Sequence, residues 1–178
     1  MGSPITVLGV GNPIMGDDGA GLELLASIEK ACAEEMYDRD GAPVPRTPDD
    51  IAFIDGGTGG MELLPEVQDA QRLLVLDAVA GKTPGEVKVL SGDQIPRLLA
   101  TKLSPHQVGL LDIFAAARML GREPGVVLVV GIVPELVDLQ LGLTPAVSQA
   151  LPEATAKAVE VITDWLVDST KDDRIGMA

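Results

Sequence analysis

Short apolar runs alternate with helix-patterned stretches along this chain, and three of those runs end in acid. The alternation predicts strands over residues 5–10, 51–55, 72–79 and 125–133, with residues 86–90 as an edge strand. Helices are predicted over residues 19–36, from residue 61, over 105–121, and from 144 to about 168 with an interruption near Pro152. Residues 38–50, rich in Asp, Pro and Gly, read as a loop. The run 125–133 is the most apolar and is expected at the centre of the sheet. Strand following helix following strand favours a parallel sheet covered on both faces, an α/β fold. Residues 1–169 are expected to form a single domain, with 170–178 a polar, frayed C-terminal tail.

Charge and composition exclude several function classes. The chain has 178 residues, enough for one domain with a proper core. A net charge of −14 argues against nucleic acid, and 2% aromatic content leaves few platforms for stacking bases. Such an acidic chain instead suits a basic or metal-bearing substrate surface. No apolar run approaches the ~18 residues that span a bilayer, and the start lacks a signal-peptide pattern. Met1-Gly2 with Thr6 fits a loose myristoylation pattern, discounted because Thr6 lies in the first strand. A cytoplasmic protein without a membrane partner is expected. No long apolar stripe stands out, so a monomer is expected. The lone Cys32 can form neither an intrachain disulfide nor a cysteine metal site; with Leu22, Leu25 and Ile28 it reads as core.

In parallel sheets, ligands sit beyond the carboxyl ends of the strands. Asp17 and Asp18 follow the first strand, Asp55 ends the second and Asp77 the third, so folding is expected to bring carboxylates to one rim. The only histidine lies in Ser104-Pro105-His106-Gln107. Ser104 suits a helix cap, Pro105 its first position, and Gln107 completes a capping box. His106 then sits by the positive end of the helix dipole, which favours a neutral imidazole with a lone pair to give. Against this stand plainer readings: an ordinary loop histidine, and Asp17 and Asp18 merely complementing a helix dipole. Gly9-Val10-Gly11 resembles a dinucleotide fingerprint only weakly, because Ile14 replaces its third glycine and the two acids would repel a pyrophosphate. Two carboxylates and an imidazole make a mixed oxygen–nitrogen site suited to nickel or zinc. Gly56, Gly57, Thr58, Gly59 and Gly60 form either a close-approach substrate groove or a plain strand–helix turn.

Several segments resemble one family in order. They are Gly9-Val10-Gly11-Asn12 with Asp17-Asp18-Gly19-Ala20-Gly21, Asp55-Gly56-Gly57-Thr58-Gly59-Gly60-Met61-Glu62-Leu63-Leu64, Leu76-Asp77-Ala78, and Ser104-Pro105-His106-Gln107-Val108-Gly109-Leu110. Gly131-Ile132-Val133-Pro134-Glu135 and Gly142-Leu143-Thr144-Pro145 follow. Together they resemble the hydrogenase maturation endopeptidases, in the branch serving uptake-type nickel–iron hydrogenases. The resemblance implies a three-layer sandwich with a twisted, mainly parallel sheet. It implies an aspartyl-type protease in which Asp18, Asp77 and His106 are metal ligands and catalytic candidates. Asp55 is a further candidate for substrate orientation or catalysis, and Gln107 and the glycine stretch for substrate binding. The implied activity is removal of a short C-terminal peptide from the precursor of a nickel–iron hydrogenase large subunit. Nickel is carried in by that precursor, and zinc or cadmium are possible substitutes. The other function classes are a nickel metallochaperone without proteolysis and a zinc-dependent hydrolase of small substrates.

Overall fold

A computed structural model of the chain describes residues 5–68, 70–92, 94–95 and 105–175, without the side chains of 105–108 and 170–175. The apolar runs form β1 (Ile5–Val10), β2 (Ile51–Gly57), β3 (Arg72–Ala78), β4 (Val87–Ser91) and β5 (Val126–Ile132). They build one sheet in the order β2-β1-β3-β5-β4. β1 pairs in parallel with β2 and β3, and β3 with β5; β4 is an edge strand, as its alternation predicts, and runs antiparallel to β5. The helices are α1 (Ala20–Ala33), α2 (Leu64–Val67), α3 (Pro105–Met119) and α4 (Pro145–Ile175).

Strand alternation sorts the core into two layers. On one face Leu74, Leu76 and Ala78 of β3 join Leu24 and Ile28 of α1 and Ala154 and Ile162 of α4. On the other, Leu73 and Val75 join Val67 of α2 and Leu110 and Ile113 of α3. The result is the expected sheet with helices on both faces. Among the described residues, no helix is long and apolar enough to cross a membrane.

Three expectations need correction. β3, not β5, holds the middle of the sheet. A strand covered on both faces reads as a continuous apolar run wherever it lies, so apolarity does not rank strands by depth. Helix α4 passes unbroken through Pro152 to Ile175, beyond the expected end near 168. Pro152 has no N–H to give the Ser148 carbonyl, but the helix buries Val147, Ala150, Ala154, Ala158, Ile162 and Leu166 on one face, and that packing holds it together. Finally, Leu22 is only half-buried, because the inward stripe of α1 runs through Gly21, Leu24, Leu25, Ile28 and Cys32. Cys32 is core as expected; burial pushes its thiol up to about 11, against a smaller opposing pull from the Arg46 charge.

Candidate functional site

The order of the strands locates a crevice. The chain leaves β1 for β2 on one side and returns to β3 on the other, so the switch in direction falls between β1 and β3. Connections diverge there and leave room beyond the carboxyl ends. Asp18 follows β1 and Asp77 lies near the end of β3, and both are fully buried. Asp18 sits in the 3-10 turn Gly16–Gly19, which packs against β3. Its Oδ2 accepts a hydrogen bond from the Asn12 N–H at 3.1 Å. Gly11 permits that inward fold: its φ is +144°, and a Cβ there would stand 2.0 Å from the Asp18 carbonyl oxygen. Gly21 seats α1 on the same rim, since a Cβ would meet the carbonyl oxygens of Val10 at 2.2 Å and Leu76 at 2.3 Å. Alternation puts Asp77 on the face of Leu73 and Val75, the face that α3 covers.

Asp17, adjacent to Asp18, has a different task. Its Oδ2 accepts from the N–H groups of Glu135 at 2.8 Å and Leu136 at 3.0 Å, and from the Thr144 hydroxyl at 2.9 Å. Its Oδ1 accepts from the Thr144 N–H at 2.7 Å. The buried carboxylate therefore fastens both ends of the segment between β5 and α4 to the β1–α1 turn. Complementing a helix dipole does not describe this role. Thr144 was legible as the start of α4, but its bonds to Asp17 were not, since the two lie 127 residues apart.

Asp55 lies on the same carboxyl rim, as expected, but at its outer end: on the edge strand β2 it stands level with Gly9 of β1 and Leu76 of β3. It is exposed, and its Oδ1 accepts from the Gly57 N–H at 2.9 Å in a local turn. Alternation sets it with Ile51 and Phe53, towards the α1–α4 layer. Gly56 and Gly57 extend β2, and the turn proper begins at Thr58. The start of α3 lies against the glycine stretch: a Cβ on Gly109 would stand at ordinary contact distance, 3.6 Å from Gly60 Cα and 3.9 Å from the Gly59 carbonyl oxygen. At the end of the stretch the Glu62 carboxyl is held below its ordinary range by backbone N–H groups of Glu62 and Gly60.

The backbone of His106 lies in the first turn of α3, three residues before Gly109. Its side chain and that of Gln107 are outside the described residues, as is Ser104 altogether. The structure thus places Asp18 in the turn that packs against β3 and Asp77 near the end of β3, sets Asp55 one strand further out on β2, and starts α3 against Gly59 and Gly60. Among the described side chains, no three His, Cys, Asp or Glu gather in a way that could hold a metal ion. A groove of about 770 Å³ lies elsewhere, between α1 and α4, lined by Ser27, Tyr37, Thr155 and Val159 among others and by none of the candidate residues.

Known proteins share this fold and this sequence pattern. The structure of the hydrogenase maturating endopeptidase HybD from Escherichia coli matches with a TM-score of 0.77 and 32% identity, covering 90% of this chain and 92% of that one. The solution structure of an endopeptidase from Escherichia coli matches with a TM-score of 0.73 and 34% identity, over 86% and 88% of the two chains. Fold and likeness together define a peptidase built on a mixed, mainly parallel α/β sheet. The family model described as hydrogenase maturation protease matches residues 9–161. The Hydrogenase 2 maturation protease of Escherichia coli (strain K12) is 31% identical over 96% of this chain and 98% of its own length. The hydrogenase expression/formation protein HupD of Rhodobacter capsulatus is 35% identical over 94% of this chain and 75% of its own. The chain belongs to the hydrogenase maturation protease family.

Proposed function

We propose that this peptidase, acting in the cytoplasm, removes a short C-terminal peptide from the nickel-loaded precursor of a nickel–iron hydrogenase large subunit. Asp18, Asp77 and His106 grip the nickel that the precursor carries, and zinc or cadmium substitute for it. The observation that carries this reading is the burial of Asp18 and Asp77 at one switch point. A divalent cation bound between two buried carboxylates would offset the charge of both. Asp77 lies on the face covered by α3, the helix whose first turn holds His106, the chain's one imidazole. Carboxylate and imidazole are the donors that borderline divalent ions take.

A ligand set that waits for the substrate's metal also gives specificity. A precursor without nickel offers the three side chains nothing to hold and leaves its peptide unpositioned. The scissile bond gains water: the hydroxyl goes to the carbonyl carbon and the proton to the leaving amine. A metal-polarised carbonyl, or a carboxylate acting as general base, supplies that chemistry.

The test incubates the purified chain with nickel-loaded and nickel-free precursor and follows the C-terminal mass. Cleavage of the loaded form alone is expected. Equal cleavage of both forms removes metal recognition, and cleavage of neither removes the substrate assignment.

A further inference from the structure

The segment fastened by Asp17 carries exposed apolar side chains that the fold does not use. Leu139 is 77% exposed and Leu141 81%, with Leu136 and Val137 also outside the core. Ile14, from the loop after β1, is half-exposed beside them. Backbone hydrogen bonds hold the two loops edge to edge. The Gly16 N–H donates to the Gln140 carbonyl at 2.9 Å, Gln140 N–H to Ile14 at 3.1 Å, and Asp17 N–H to Leu136 at 3.0 Å. The bridge between Met15 and Gln140 fixes the middle of this stretch, with the exposed Leu139 and Leu141 on either side of Gln140 in sequence. Exposed Glu135 and Asp138 flank them. An apolar centre with a charged rim is the anatomy of a protein–protein contact.

Position points to the occupant. The patch is continuous with the crevice, because Asp17 ties its loop to the turn that also holds Asp18. The loop therefore lies next to the place where a C-terminal peptide would enter, within reach of the protein that carries it. We propose that residues 135–143 with Ile14 form the docking platform for the body of the precursor, and that Asp17 is the positioning residue that fixes this platform beside the crevice. The inference rests on the peptidase reading and adds where the substrate protein sits. The matching surface on the precursor is apolar with a basic rim, complementary to Glu135 and Asp138 and to the chain's net charge of −14.

The test is direct binding and cleavage of a nickel-loaded large-subunit precursor by wild type, by a Leu139→Asp, Leu141→Asp double variant, and by Met119→Asp. Met119 is a control at the far end of α3, 89% exposed. The double variant is expected to bind roughly tenfold or more weakly, and to cleave subsaturating precursor correspondingly slowly, with its melting temperature kept. Met119→Asp is expected to bind as wild type does. Wild-type affinity in the folded double variant overturns the platform while leaving the peptidase reading intact. A wild type that neither binds nor cleaves removes both. Sedimentation of the free chain closes the remaining route: a dimer broken by the double variant, with precursor binding unaltered, makes the patch a self-interface and overturns the proposal.

Discussion

Asp77 and Asp55 occupy similar places in the sequence, each an acid near the end of an apolar run, yet the fold treats them oppositely. Asp77 ends the central strand, fully buried and facing α3. Asp55 lies two residues before the end of the edge strand β2, exposed, on the opposite face, with its own turn as partner. The glycines around them differ likewise. At the inner part of the rim, Gly11 and Gly21 leave no room for a Cβ against neighbouring backbone. Beside Asp55 a Cβ on Gly57 would meet only Asp55 Oδ1, at 3.8 Å, although one on Gly56, which faces β1, would stand 2.9 Å from Leu8 Cδ1. A strand's rank in the sheet sets how deep its terminal acid lies, and parity along the strand sets which layer it faces. Neither is a property of the motif. Substitutions at both positions test whether the inner and outer parts of the rim really differ in this way.

The largest effect is expected at Gly21. An alanine methyl would collide with two backbone carbonyls, and α1 must lift from β1 and β3 to admit it. A loss of about 4 kcal/mol is expected, read as a melting temperature lower by roughly 10 °C or as insoluble expression. A melting temperature near that of wild type would mean the inner part of the rim is looser than it looks. Next come Asp18→Asn and Asp77→Asn, which keep shape and remove charge. Processing is expected to fall roughly 10³-fold in each with thermal stability kept; full activity in either removes that residue from the site. Asp17→Asn should show the reverse pattern among neighbours. The amide turns a donor towards the N–H groups of Glu135 and Leu136 or of Thr144, at a cost of about 3 kcal/mol. The melting temperature is expected to drop by several degrees, and an unshifted melt would refute the clamp.

The same contrast explains what was legible in the sequence. The strands were readable because each buried run must be apolar, and the ends of β1 and β3 because acid interrupts such runs. The switch point between those strands was not, since it depends on pairing order, which leaves no local signature. β5 misled because coverage on both faces, not centrality, makes a parallel strand apolar. Pro152 misled because a local hydrogen bond was weighed without the apolar face that α4 lays on α1 and the sheet. The site was half legible for a related reason. Asp18 and Asp77 could be nominated by chemistry, but the division of labour between Asp17 and Asp18 rests on contacts more than a hundred residues distant. The four apolar residues Leu136, Val137, Leu139 and Leu141 hid in plain view: their types suit a core, and only burial shows that they lie outside it.

The smallest effects belong at the outer part of the rim, where they sharpen the comparison most. Gly57 has φ +48°, a conformation that costs an alanine about 1 kcal/mol with no collision to add. Asp55→Ala removes one solvent-exposed hydrogen bond and is expected to cost under about 1 kcal/mol. Processing by Asp55→Ala is expected to fall less than about tenfold, against roughly 10³-fold for the inner acids. Asp55 faces away from the α3 layer, so any part in the reaction must pass through the turn at Gly57 and the Gly57 carbonyl, which accepts from the Gly11 N–H at 2.8 Å. That link makes a partial loss intelligible as a shift of the loop before Asp18. Asp55→Asn, which keeps the acceptor oxygen for Gly57, should then recover most of the activity. A loss in Asp55→Asn as deep as in Asp77→Asn, at an unshifted melting temperature, would show that the Asp55 charge takes part in the reaction and that the end of β2 belongs to the same site.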